Sequence, residues 1–168
     1  MTLPELNALS PADAEAAFLT CCGCTRWARE MAARRPFRGQ AEVHAAADEV
    51  WRALDPAEWD EAFRAHPRIG ERKAAPSQGA RAAAWSSQEQ AGAAAAGEDV
   101  AAALAEGNRA YEARFGRIYI VCATGKTAEE MLAILRARLA NDPETELRAA
   151  AAEQAKITRL RLEKLLAE

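Results

Sequence analysis

Apolar residues recur at intervals of three and four along most of the chain, and the runs are separated by proline, glycine and small polar residues that start and stop helices. Ser10-Pro11-Ala12-Asp13 places a cap, a first-turn proline and an acid facing the helix dipole, which predicts a helix over 10–22 with Gly23 closing it in a left-handed conformation. A second helix is expected from Thr25, with Trp27 and Met31 four apart on a core face, until Arg35-Pro36 stops it. Residues 40–54 put Val43, Ala46, Ala47, Val50 and Leu54 on one stripe, with Glu42, Asp48 and Glu49 on the other face. Asp55-Pro56-Ala57-Glu58 has the capping-box spacing and opens a helix over 56–65 that buries Trp59 and Phe63. Proline disfavours the α region in the residue before it, so His66-Pro67 ends that helix and leaves an imidazole at its exit.

Residues 67–79 mix Pro, Gly, Ser and charge between close-set helices and read as a functional loop, with a linker over 74–79 as the alternative. A helix is expected to begin at 85–90, with Ser86 and Ser87 at its cap and Glu89 in its first turns. Gly92 and Gly97 predict a bend in the alanine-rich stretch after it. A long helix over 98–115 aligns Val100, Leu104, Asn108, Tyr111 and Phe115, and Gly116 ends it. Residues 117–122 form the one β-type run, and a lone extended segment has no ladder partner, so it should cross the helices with backbone amides left for a ligand. Thr127-Ala128-Glu129-Glu130 opens a helix to about residue 140, and Asp142-Pro143 opens an amphipathic one to about residue 166. The expected fold is all-α, a single-domain helical bundle of about seven to nine helices over 1–168, with one short extended segment near 117–122.

Composition narrows the function classes. A net charge of −3 from interspersed signs argues against a nucleic-acid partner, and no apolar run approaches the roughly 18 residues of a membrane span. The N-terminus lacks the basic and apolar regions of a secretion signal, and the C-terminus is not of the peroxisomal type, so a cytoplasmic setting is expected. Cys21, Cys22 and Cys24 cluster, but Cys122, His44 and His66 supply no second pair for a zinc site, so buried structural thiols are the reading rather than metal or redox chemistry. Ala123-Thr124-Gly125-Lys126-Thr127 imitates the end of a phosphate-binding loop, yet the glycine needed five residues before Gly125 is Ile120.

His66 and Glu89 are the residues with acid/base potential. A histidine exchanges protons near neutrality, and a neighbouring carboxylate would fix its tautomer and raise its basicity. By spacing alone the better reading is a surface histidine that caps a helix and a glutamate in a solvated first turn. The run His66-Pro67-Arg68-Ile69-Gly70 resembles the signature of the 2-oxo-4-hydroxy-4-carboxy-5-ureidoimidazoline (OHCU) decarboxylases of urate breakdown. The resemblance continues in order through Trp27 with Arg35-Pro36-Phe37, Ser86 with Glu89-Gln90, Asn108, Tyr111 and Phe115-Gly116. It extends through Ile120-Val121-Cys122-Ala123, Gly125-Lys126, Glu130, Arg138-Leu139 and Asn141, and then Glu153, Lys156-Ile157 and Leu160-Arg161-Leu162.

That resemblance implies an all-helical protein, a homodimer, using neither metal nor organic cofactor, that converts OHCU to (S)-allantoin. It places the catalytic histidine on His66 and its partner carboxylate on Glu89. It places substrate-holding positions on Pro67, Ser86, Gln90, Arg161 and backbone groups of Ile120, Val121, Cys122 and Ala123, with Arg161 preferred to Arg159 by its Leu-Arg-Leu framing. The alternative is a helical interaction module without catalysis, in which His66, Arg68 and Arg161 are surface groups.

Overall fold

The structure, a computed structural model, describes residues 1–71, 75 and 78–167. Among them are ten α-helices and no strand. The chain divides into two compact units, one of Met1–Ala62 with Ala155–Glu168 and one of Phe63–Gln154.

The first unit opens with a helix the periodicity did not reveal, α1 (Leu3–Ala8), six residues held by a capping box between Thr2 and Glu5. Helix α2 (Pro11–Cys21) starts as expected, with the Ser10 hydroxyl accepting from the Asp13 amide at 3.1 Å. Its end differs from expectation. The chain leaves through extended Cys22 (φ −145°), and the left-handed glycines are Gly70, Gly116 and Gly125. Helix α3 (Thr25–Ala33) packs against α2 and α4 (Gln40–Ala53). Trp27 is fully buried there, edge-on to Phe18 with ring centroids 5.9 Å apart, and its indole donates to the Ala47 carbonyl. A side chain of that size contributes about 1.5–3 kcal/mol or more by leaving water. The predicted stripe of α4 is buried throughout. Cys21, Cys22 and Cys24 are buried free thiols beside this junction, and burial pushes the Cys22 thiol far up, which keeps it out of thiolate chemistry.

Helix α5 (Pro56–Arg64) begins from the Asp55–Glu58 capping box, each side chain taking the other's amide at 2.9 and 2.8 Å. The second unit then holds α6 (Ala80–Glu89), α7 (Ala91–Ala94), α8 (Glu98–Phe115), α9 (Ala128–Arg138) and the first half of α10 (Pro143–Ala167). Helix α6 corrects the sequence reading. It starts at Ala80 behind Gly79, so Ser86 and Glu89 sit in its last turn rather than at its cap. The alanine run 82–84 favours helix strongly enough to start it before the serines. The chain breaks at Gln90 between α6 and α7 and again over 95–97, ending at Gly97, before α8, so Gly92 lies inside α7; Gly116 closes α8 at φ +70°.

Helix α8 packs along α9, and the core between them is built from Leu104, Tyr111, Tyr119, Met131 and Leu135. Gly92 lets α7 meet the loop before α9. A β-carbon there would stand 2.1 Å from the Lys126 carbonyl oxygen. Residues 117–123 are irregular, with Tyr119 to Ala123 buried. The expected functional loop over 67–79 falls partly on 72–74, 76 and 77, which lie outside the described residues.

Candidate active site

His66 lies two residues beyond α5, half-buried, with its amide on the Phe63 carbonyl at 3.1 Å. Its Nε2 is 2.7 Å from Oε1 of Gln154, a fully buried side chain on α10. The imidazole is therefore held by a neutral amide. Beyond it the chain turns through Pro67 to Gly70, where φ is +88° and a β-carbon would be strained. Two contacts fix this turn. The Gly70 amide donates to Gln90 Oε1 at 3.1 Å, and the Asn108 amide donates to the Ile69 carbonyl at 2.8 Å. Arg68 is exposed and forks onto Glu112 with contacts of 2.8–3.1 Å, so it is a paired surface charge.

Against that turn stands the last turn of α6. Pro67, Ser86 and Gln90 line one cavity of about 440 Å³, together with Gly70, Gln78 and Ala93. The volume lies in the range of small-molecule sites. The Ser86 hydroxyl accepts from Gln78 Nε2 at 2.6 Å, and Gln90, which caps α6 and opens α7, reaches back to Gly70. Polar groups on its wall are thus oriented by one another. Glu89, next to Gln90, acts on Cys122, whose thiol is raised first by burial and further by the Glu153 and Glu89 charges, against Lys126.

Ile120, Val121, Cys122 and Ala123 form a buried segment pinned from several sides. The Cys122 amide donates to Glu153 at 2.8 Å and its carbonyl accepts from Lys126 Nζ at 2.6 Å, so the expectation of an amide left over for a ligand does not hold at Cys122. The phosphate-loop lookalike is explained by the same contact, with Thr127 spent as the cap of α9. Arg138 donates to the Ile120 carbonyl at 2.6 Å and forks onto Glu146, which also accepts from Tyr111 at 2.5 Å and Asn141 at 3.0 Å. The ion pair is buried with every partner in place, as burial of charge demands.

Arg161 belongs to the first unit, on the second half of α10, and is 3% exposed. Arg159, the rejected neighbour, is exposed and paired with Glu163 at 3.6 Å. Gln154, Glu146 and the Arg138 network escaped the sequence reading as working parts. A signal for them existed. Glu146, Ala150, Gln154, Ile157, Arg161 and Leu165 repeat at three and four residues on α10, and all are buried, so three polar side chains occupy a core stripe.

The sequence profile of the family described as OHCU decarboxylase matches residues 7–163. The chain belongs to the OHCU decarboxylase family. It is 39% identical over 148 residues to the uric acid degradation bifunctional protein TTL of Arabidopsis thaliana, covering 88% of this chain and 46% of that protein. It is 29% identical over 141 residues to the uric acid degradation bifunctional protein PucL of Bacillus subtilis (strain 168), covering 84% and 28%. The chain thus spans less than half the length of either relative. Among solved structures, an OHCU decarboxylase crystallised in the presence of (S)-allantoin superposes with a TM-score of 0.77 at 36% identity, covering 90% of this chain and 97% of that one. An (S)-allantoin synthase matches with a TM-score of 0.73 at 17% identity, over 99% of this chain and 54% of that one, a likeness of fold. Membership of the OHCU decarboxylase family fits the all-helical architecture and the order of motifs from His66 to Arg161.

Proposed function

We propose that this protein decarboxylates OHCU to (S)-allantoin in urate degradation, with His66 and Glu89 as the acid/base pair. The observation that carries the reading is the shared cavity of Pro67, Ser86 and Gln90, three of the four side chains that the family resemblance gives to substrate holding. The chemistry asks for holding and proton transfer. Breaking the bond to the carboxylate releases carbon dioxide and sends its electron pair toward the neighbouring ring imine, leaving an enol-like ring, so the substrate carries its own electron sink. His66 takes the hydroxyl proton and a proton returns to the ureido-bearing carbon. Ser86 and Gln90 read ureido and ring amides, Arg161 offers a planar donor fork to substrate oxygens, and Pro67 with the 120–123 segment excludes water. The whole chain works as one domain and pairs as a homodimer in the cytoplasm. Among the described residues no helix is long and apolar enough to cross a membrane.

The test generates the unstable substrate from urate in heavy water and follows circular dichroism and deuterium incorporation with and without the protein. A pocket that presents one ring face to the proton donor yields a single enantiomer faster than spontaneous decay. His66→Asn should cost about 100-fold or more, with the melting temperature little changed. Racemic product at the spontaneous rate, or His66→Asn within about threefold of wild type, overturns the assignment.

A further inference from the structure

His66 carries two ring nitrogens, and only one can be the nitrogen that exchanges a proton with substrate. The contact at Nε2 is made by the Gln154 carbonyl oxygen, which can only accept, so Nε2 must carry a hydrogen. We infer that Gln154 is the positioning residue that holds His66 as its Nε2–H tautomer, leaving Nδ1 as the nitrogen that takes and returns the proton. The inference rests on the reading of His66 as the proton-transfer group. Two physical points favour it. An Nε2–H donor persists whether the ring is neutral or protonated, so the 2.7 Å contact survives the whole proton cycle and the ring does not reorient between steps. The opposite amide orientation would place an N–H donor on Nε2, and a second hydrogen bond geometry would be lost each time the ring became fully protonated.

The neutrality of Gln154 also matters. A carboxylate in its place would favour imidazolium and raise the proton affinity of the ring, whereas an amide orients it without adding charge. Gln154 is fully buried on α10, so its side chain is confined by packing and its aim is fixed before substrate arrives.

The chain has two histidines, His44 and His66, so protein labelled with 15N-histidine gives two imidazoles, and His66→Asn assigns them. The free protein should show His66 with a protonated Nε2 and an unprotonated Nδ1 in its neutral form. Gln154→Glu should raise the titration midpoint of His66 by about one unit or more. Gln154→Met, which keeps the volume without a polar group, should lower kcat about tenfold or more with KM within about twofold. A protonated Nδ1 in the wild type, or an unmoved midpoint in Gln154→Glu, overturns the assignment. Both are read without substrate, so that failure leaves the decarboxylase reading standing. The expected tautomer in a protein that turns over OHCU no faster than its spontaneous decay would instead overturn the reading, and with it the catalytic purpose given to Gln154.

Discussion

At the scale of single residues, the candidate site is held together by pairs in which one partner is a neutral amide. Gln154 meets His66, Gln90 meets Gly70, Gln78 meets Ser86 and Asn108 meets Ile69. Amides fix geometry without shifting charge, which leaves Glu89 as the ionisable side chain proposed to act with His66. Its place changes what its replacement should do. In the last turn of α6 a carboxylate faces the negative end of the helix dipole, so it opposes helix stability there. Glu89→Gln should therefore leave the melting temperature unchanged or slightly raised while turnover falls about tenfold or more. A loss of stability in a thermal melt, or unchanged turnover, would show that Glu89 is structural. The motif stretches around His66 and Glu89, the pair proposed for the chemistry, were legible because their residues keep their order along the chain. Gln154 was not, because its partner lies 88 residues away in sequence and no local pattern records such a pairing.

At the scale of elements, caps and stripes were legible and starting points less so. Ser10, Asp55, Thr127 and Asp142 all cap the helices their patterns announced, since capping is decided within four residues. Helix α6 started five residues early because alanine propensity outweighed the serine cap signal, and α1 was missed because six residues are too few to show a period. The 117–122 segment looked β-type for its Ile and Val content but is irregular, and its ladder is replaced by side chains: Arg138 on Ile120, Glu153 and Lys126 on Cys122. Glu146 is the keystone of that arrangement, since it neutralises Arg138 in a site with almost no solvent. Glu146→Leu leaves the guanidinium buried without its charge partner and should destabilise the protein by about 3–5 kcal/mol in denaturant unfolding. A loss below about 1 kcal/mol would mean the Arg138 charge finds water or another carboxylate.

At the scale of the whole molecule, stability should depend on pH through a histidine that takes no part in the proposed chemistry. His44 on α4 is 8% exposed, and its Nδ1 is buried without a hydrogen-bond partner. Its pKa is lowered first by burial and then by Arg159, while Glu163, 3.9 Å from Nε2, and Asp48 pull the other way. The net direction is down, so the unfolded chain takes up this proton at a higher pH than the folded protein does. Stability tied to a neutral His44 is then complete above the ordinary histidine pKa of about 6.5 and is lost as pH falls toward the lower folded value. The carboxylates lowered by the backbone amides they accept from, such as exposed Asp142 and partly exposed Glu42, act only nearer the acidic carboxylate range, so the two windows separate. Melting temperatures measured from pH 7.5 to 5 should fall in the wild type, and His44→Leu should flatten that fall without altering the steeper loss below about pH 4.5. Parallel curves for the two proteins would show that His44 is protonated as readily in the folded state as in the unfolded one, and that Glu163 and Asp48 outweigh its burial.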